Sequence, residues 1–199
     1  MFRPNIAVEH MEEEIYNISM QLQKITQKGL LGKALAHEVS RYSLLDLSLM
    51  GGRYIQSLKH IPSPYLERVK PYLVEQFFGA QHRLIQLSHT KQFDCMTDPI
   101  TDLESHTKYW EMVPQGSFVH DNQPIPHGEG KEPLGHFYYY LLAGFIMFVM
   151  EEPGHPVGTP FPGTFTVHKR GKQYVCYIRD KEKDVWHSIC NYCPAIAEE

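Results

Sequence analysis

Hydrophobic positions near the start of the chain recur at the spacing of an α-helix. Apolar side chains stand three or four residues apart at Val8, Met11, Ile15, Ile18, Leu22 and Ile25. This spacing places them on one face of a helix, and the glutamates at 12–14 suit the positive end of its dipole. Gly29 and Gly32 are expected to end the helix. Because the apolar stripe is short, we expect it to pack on the rest of the domain rather than to form a long coiled coil.

The same periodicity predicts further helices as far as residue 150. They are expected at 33–50, 64–88, 103–112 and 134–151. Gly51 and Gly52 should interrupt the first of these, and Pro71 should bend the second or begin a new helix within it. Residues 113–135 contain four prolines and four glycines, which predicts a long loop.

The pattern changes after residue 150. The stretch EEPGHPVGTPFPG holds four prolines and three glycines, so it cannot be helical. The alternating sequence TFTVHKRGKQYVCYI then predicts a β-hairpin that turns at Arg170-Gly171. The predicted fold class is mainly α (α+β). Residues 1–150 form a helical body, and residues 151–199 form a loop, a hairpin and a Cys-rich tail packed on that body as part of one domain.

Composition narrows the classes of function. The 199 residues are 42% hydrophobic, with a net charge of −4, and the only basic cluster is the short run at 168–172. Nucleic acid is therefore not the expected partner. The first residues lack the apolar stretch of an export signal, and the longest apolar run, 137–150, is shorter than the ~20 residues that span a bilayer. We expect a soluble, cytoplasmic protein without a membrane partner.

Three cysteines near the C-terminus have the spacing of a metal site. Cys176 lies on the second strand of the predicted hairpin, and Cys190 and Cys193 form a Cys-x-x-Cys pair. In a reducing compartment such a set favours a tetrahedral zinc site over a disulfide. A closed site needs a fourth ligand, for which His155 is the first choice. His187 and His168 are the alternatives. Cys95 is remote in sequence and is expected to be a buried core thiol.

The same three cysteines are compatible with roles other than zinc binding. They could be ordinary buried thiols, since free cysteine is commonly buried. A thioredoxin-like redox pair would open a helix after a strand in a βαβ pattern, which this sequence lacks. Iron or an iron–sulfur cluster is less favoured than zinc, because a cluster takes four thiolates and only three lie close together.

A second candidate site lies in the predicted loop. Histidines and carboxylates cluster there at His120, Asp121, His127, Glu129, Glu132 and His136. Such a group could bind a catalytic metal or act as a general acid and base. No His-Glu-x-x-His spacing supports it, and surface histidines in turns are the simpler interpretation.

The C-terminal motifs resemble a known family. HPVGTPFPG at 155–163, Cys176, and CNYC at 190–193 followed by AIA resemble an archaeal family found mainly in methanogens and described only as a domain of unknown function. The pattern of that family reads His-Pro-x-Gly-x-x-Phe-Pro-Gly, Tyr-x-Cys-Pro and Cys-Pro-x-Cys. Here Tyr177 and Asn191 replace the prolines after the cysteines, and Thr164 replaces a glycine. The resemblance implies that His155 and the three cysteines belong to one unit, and it implies no activity.

The sequence therefore predicts a cytoplasmic zinc-binding protein in which the metal is structural and the helical body binds a protein or a small molecule. The apolar stripe of the first helix could also form the interface of a homo-oligomer, although packing within one domain explains the stripe equally well. The alternative is a metal-dependent enzyme, hydrolytic or redox, that uses the 113–135 loop or an open position on a three-cysteine metal ion.

Overall fold

A computed structural model shows a mainly helical protein with a small three-stranded sheet near its C-terminus. The structure describes residues 8–120, 123–124, 132–163 and 165–198. The α-helices are α1 (Val8–Gln23), α2 (Lys28–Val39), α3 (Leu44–Ser57), α4 (Tyr65–Val74), α5 (Ala80–His89), α6 (Leu103–Gly116) and α7 (Glu132–Gly144). Two π-helical segments interrupt or extend them: π1 (Glu75–Gly79) joins α4 to α5, and π2 (Phe145–Val149) continues α7.

Helix α1 packs on the body, as its apolar stripe predicts. Met11, Ile15 and Leu22 are buried, and α1 lies along α6. At its end, the Gln23 side-chain amide donates to the main-chain oxygen of Thr107 at 3.3 Å. The apolar face of α1 is therefore buried against α6, and its polar face is turned to the solvent.

The predicted end of the first helix was wrong. Gly29 and Gly32 lie inside α2. A side-chain carbon on Gly29 would lie 2.3 Å from the main-chain oxygen of Phe93. The Gly29 amide donates to the main-chain oxygen of Met96 at 3.0 Å. This glycine therefore allows α2 to approach another segment closely and does not terminate a helix.

The boundary between α2 and α3 also differs from the prediction, which placed one helix at 33–50. The chain leaves the helix after Val39, and Ser43 starts α3. The Asp46 amide donates to Ser43 Oγ at 3.2 Å, and the Ser43 amide donates to the Asp46 carboxylate at 2.9 Å. This reciprocal capping box fixes a helix start. Gly51 and Gly52 lie inside α3 rather than after it.

The remaining helices follow the predictions more closely. Helices α4 and α5 with π1 cover the predicted 64–88 segment, with Pro71 inside α4. Helix α6 runs to Gly116, so the first residues of the predicted loop are helical. Further along, β1 (Val119–His120) pairs with β2 (Gln123–Pro124).

The interior of the body is built around α7 and π2. Their side chains at Phe137, Tyr138, Leu141, Leu142 and Phe145 are almost fully buried. This confirms the prediction that the apolar run forms a central helix. None of the helices within the described ranges is long and apolar enough to cross a membrane.

His106 on α6 is completely buried beside Trp110. The Trp110 Nε1–H donates to His106 Nε2 at 2.9 Å, so Nε2 accepts and the neutral ring carries its proton on Nδ1. His106 Nδ1 has no hydrogen-bond partner within the described structure. Burial lowers the pKa of His106 to about 4, because the charged ring would lose its hydration.

We expect this histidine to make the protein less stable in acid. Between its unfolded pKa of about 6.5 and its folded pKa of about 4, only the unfolded chain takes up the proton, so the free energy of unfolding falls as the pH falls. The loss reaches about 3 kcal/mol near the lower limit. Urea unfolding across this window should show a shallower pH dependence for His106→Gln, which keeps an acceptor for Trp110. The exposed His10→Gln should behave like the wild type.

The C-terminal sheet contains the predicted hairpin and one further strand. Strands β3 (His168–Arg170) and β4 (Gln173–Cys176) are antiparallel, and the turn between them has Gly171 at a φ of +63°. Strand β5 (Ile196–Ala197) pairs in parallel with β4, with Cys176 opposite Ala197. The end of the described chain is thus hydrogen-bonded to the hairpin, which the sequence analysis did not predict.

Candidate metal centre

The three C-terminal cysteines lie together in the interior. Cys176 ends β4, Cys190 lies in the short turn Ile189–Tyr192, and Cys193 follows that turn. Their exposed fractions are 3%, 4% and 7%, and all three are free thiols. Burial raises the pKa of Cys190 to about 12, and the neighbouring Cys193 and Cys176 sulfurs add to this rise. The structure therefore brings the three predicted residues into one neighbourhood.

Main-chain amides point at two of these sulfurs. The Gly154 amide donates to Cys193, and the amides of Ile178 and Arg179 near Cys176 lower the pKa of that thiol. Burial raises the pKa of both thiols, and the amide hydrogen bonds oppose that rise. Amide donors stabilise a thiolate more than a thiol, so they favour the form of cysteine that binds metals.

His155 belongs to the loop that contacts Cys193. The amide of the preceding residue, Gly154, lies 3.5 Å from Cys193 Sγ. The imidazole packs edge-on against Phe161, with ring centres 5.6 Å apart. The residue is half-buried. The protein atoms around the ring remove it from water, which lowers the pKa of His155 to about 4. The ring is therefore neutral at pH 7, which is the state that coordinates metals.

The two alternative histidines have other surroundings. On β3, His168 Nδ1 lies 3.2 Å from the main-chain oxygen of Thr166, and Nε2 lies 3.7 Å from the Glu198 carboxylate. The ring of His187 packs edge-on against Trp186, and its main-chain oxygen accepts from the Tyr140 hydroxyl at 3.0 Å. His155 follows Gly154, whose amide contacts Cys193. Of the three candidate histidine ligands, His155 is therefore the one whose loop packs on a cysteine.

Within the described parts of the chain, no three His, Cys, Asp or Glu side chains form a group that could hold a metal ion as they stand. Metal binding would require side-chain rotations that direct the three sulfurs and a fourth donor to one point. The zinc site therefore stays a prediction. The structure shows that the three cysteines lie near one another.

The second predicted site cannot be built from the described side chains. The side chains of His120 and Glu132, together with Asp121, His127 and Glu129, lie outside the described residues. His136 is described and lies on α7, partly buried. The catalytic use of this loop thus has no geometry to support it.

The expectation for Cys95 was wrong. Cys95 ends the short turn Gln92–Cys95 and is exposed. The neighbouring Phe93 supplies the buried side chain of this turn, with 2% of its surface exposed. Because Phe93 fills the space against α2, the thiol points away from the core.

Comparison with known protein families matches residues 27–198 of this chain to one family, described as "Uncharacterized protein conserved in archaea (DUF2115)". This chain belongs to the DUF2115 family. The resemblance inferred from the C-terminal motifs is therefore confirmed at the level of the family.

The DUF2115 chain is similar to proteins from methanogens. It is 30% identical to a UPF0305 protein of Methanopyrus kandleri over 134 residues, which cover 67% of this chain and 84% of that protein. It is 20% identical to a UPF0305 protein of Methanocaldococcus jannaschii over 169 residues, or 82% of this chain and 92% of that protein. A UPF0305 protein of Methanothermobacter thermautotrophicus is 39% identical over 58 residues, and the chain covers 35% of its length. No solved structure matches.

A pocket that sequence reasoning missed adjoins the cysteines in this DUF2115 protein. It has a volume of about 280 Å³ and includes Gly154 in its wall. The Gln76 side-chain amide donates to the Gly154 main-chain oxygen at 2.8 Å, while the Gly154 amide faces Cys193. One residue therefore connects the pocket to the cysteines. The pocket residues come from distant parts of the sequence, so no motif could have indicated it.

Proposed function

We propose that Cys176, Cys190, Cys193 and His155 bind one structural Zn²⁺, and that this ion fastens the C-terminal residues to the hairpin and to the helical body. The observation that carries the proposal is the gathering of three buried thiols, one of which accepts a hydrogen bond from the Gly154 main-chain amide. A tetrahedral site of three thiolates and one imidazole is an ordinary composition for structural zinc.

The short strand β5 supports the proposal of a structural metal. Strand β5 is two residues long, so it contributes little pairing of its own. Zinc binding can supply on the order of 10 kcal/mol of folding free energy at neutral pH. Since burial raises the pKa of all three thiols, binding releases protons, and the affinity for zinc rises with pH.

The role that follows is that of a binding module. A structural ion bound to Cys193 would hold Gly154 in place, because the Gly154 amide contacts Cys193. Gly154 also contacts Gln76 in the wall of the pocket, so the ion would stabilise that wall. The metal would then hold a binding surface of the helical body in shape without itself touching the bound protein or small molecule. An open coordination position is not required for this role.

Elemental analysis of tag-free protein purified without oxygen tests the metal site. We expect about one zinc per chain in the wild type and in His168→Ala, because His168 lies on a partly exposed strand position. His155→Ala should bind zinc more weakly in a competition with a chelator. His187→Ala, in contrast, should compete like the wild type.

Three results would count against the proposal. If wild-type protein contains no metal, the cysteines are buried thiols of the core and not metal ligands. Iron in place of zinc would favour a redox centre. A metal that His155→Ala does not weaken, and that binds small anions, would favour a catalytic site with an open position.

A further inference from the structure

Residues from both π-helical segments line the pocket beside Gly154. Glu75 and Gln76 of π1 line one side, and Ile146 of π2 lines another. A π turn inserts an extra residue into a helix and is found frequently at functional sites. Here both π segments in the described helices contribute to the same pocket, which points to a binding site rather than to two unrelated irregularities.

The charges in the pocket do not balance. Arg83 is held by Glu152 through two hydrogen bonds of 2.5 and 3.0 Å, so this pair is internally neutral. Hydrogen bonding to Glu152 raises the pKa of Arg83, and the charges of Glu152 and Glu75 add to this rise. Glu75 makes no ion pair with a lysine or arginine in the described structure. The pocket wall therefore carries a net negative charge, from two carboxylates and one guanidinium.

The position of Glu75 depends on Gly79. The Glu75 carboxyl group folds back over the next turn, where a side-chain carbon on Gly79 would lie 2.2 Å from it. The glycine thus leaves room for the carboxylate along the wall of the pocket. An alanine at this position would displace the carboxylate without removing it.

The neutral polar groups also favour a ligand that donates hydrogen bonds. Gln76 uses its amide nitrogen twice, toward the Gly154 main-chain oxygen at 2.8 Å and the Tyr139 hydroxyl at 3.0 Å. A main-chain oxygen can only accept, so the Gln76 nitrogen must face it, and the carbonyl oxygen of the side chain is the atom left for a ligand. Ala80 and Ile146 supply apolar surface beside these acceptors.

We propose that this pocket binds a small organic cation, an alkylammonium whose charged end pairs with Glu75 and whose apolar end lies against Ala80 and Ile146. An anion would have to displace Glu152 from Arg83 and would face the Glu75 charge. The proposal gives a ligand class to the binding role inferred above. It stands separately from zinc binding, because no residue named for the pocket is a proposed metal ligand.

Pentylamine and pentanoate, which have the same chain length and opposite charge, are the probes for this site. Titration calorimetry at low ionic strength should detect pentylamine in the millimolar range and no pentanoate. Glu75→Gln should weaken pentylamine binding about two- to fivefold, since Glu75 is exposed and water screens the ion pair. Glu104→Gln, which changes an exposed carboxylate on α6, should bind like the wild type.

Amide shifts in nuclear magnetic resonance spectra locate the bound probe. Pentylamine should move the Gly79 and Gly154 signals, and Gly79→Ala should weaken binding by displacing the Glu75 carboxylate. Binding of pentanoate in preference to pentylamine, or pentylamine binding that Glu75→Gln leaves unchanged, would overturn the proposal. Zinc is measured in the same samples, so failure to bind pentylamine in metal-loaded protein counts against this inference alone.

Discussion

Replacing Cys190 and Cys193 together by serine is expected to abolish zinc binding and to lower the melting temperature by about 20 °C or more. Both thiols are buried, and Cys193 accepts a hydrogen bond from the Gly154 amide, which suits a thiolate. Serine keeps the size of the side chain but is a poor zinc ligand. The exposed Cys95→Ser is the matched control and should leave the metal content and melting temperature unchanged.

A chelator separates the loss of metal from the loss of packing. A buried serine hydroxyl without a partner costs about 1–3 kcal/mol even in a protein that never binds zinc. The double variant could therefore melt early for two reasons. If the metal matters, a chelator should lower the melting temperature of the wild type and of Cys95→Ser, and it should have no effect on the double variant.

Limited proteolysis adds a local readout to the same experiment. The turn Arg179–Glu182 carries Arg179 and Lys181 and lies between Cys176 and Cys190. Trypsin should cleave there rapidly after chelation and slowly in the metal-loaded protein, because release of the tail lets this exposed turn unfold locally, as cleavage requires. A wild type that resists trypsin and melts at the same temperature with and without the chelator would contradict a structural zinc.

Elements that depend on local chemistry were predictable from the sequence. The stripe of α1 and the hairpin around Gly171 follow from periodicity and from turn residues within each segment. The gathering of Cys176, Cys190 and Cys193 followed from their spacing. In each case the residues that decide the structure lie close together in the chain.

Elements decided by distant partners were not predictable. Strand β5 is too short to show an alternating pattern, and it exists because it pairs with β4. The π segments have no periodicity of their own, so the sequence of π1 reads like part of an ordinary helix. The pocket depends on Gln76 meeting Gly154, which lies 78 positions further along the chain. A single sequence holds no signal for such a meeting.

Gly29→Ala is expected to destabilise the protein by about 3 kcal/mol, which corresponds to a fall in melting temperature of about 10 °C. The added carbon would lie 2.3 Å from the Phe93 main-chain oxygen and 2.5 Å from that of Met96. Main-chain atoms cannot turn aside as a flexible side chain can. The segment would have to move away from α2, which would break the hydrogen bond from the Gly29 amide to Met96.

Gly52→Ala is the matched control, and it should act in the opposite direction. Gly52 is also inside a helix, α3, but it is exposed and a side-chain carbon there would meet nothing within 4 Å. Alanine is favoured over glycine in a helix by about 1 kcal/mol, so this variant should be slightly more stable than the wild type. Urea unfolding of both variants measures the difference. If Gly29→Ala were also stabilising, α2 could not lie against residues 93–96 at the distance the structure gives.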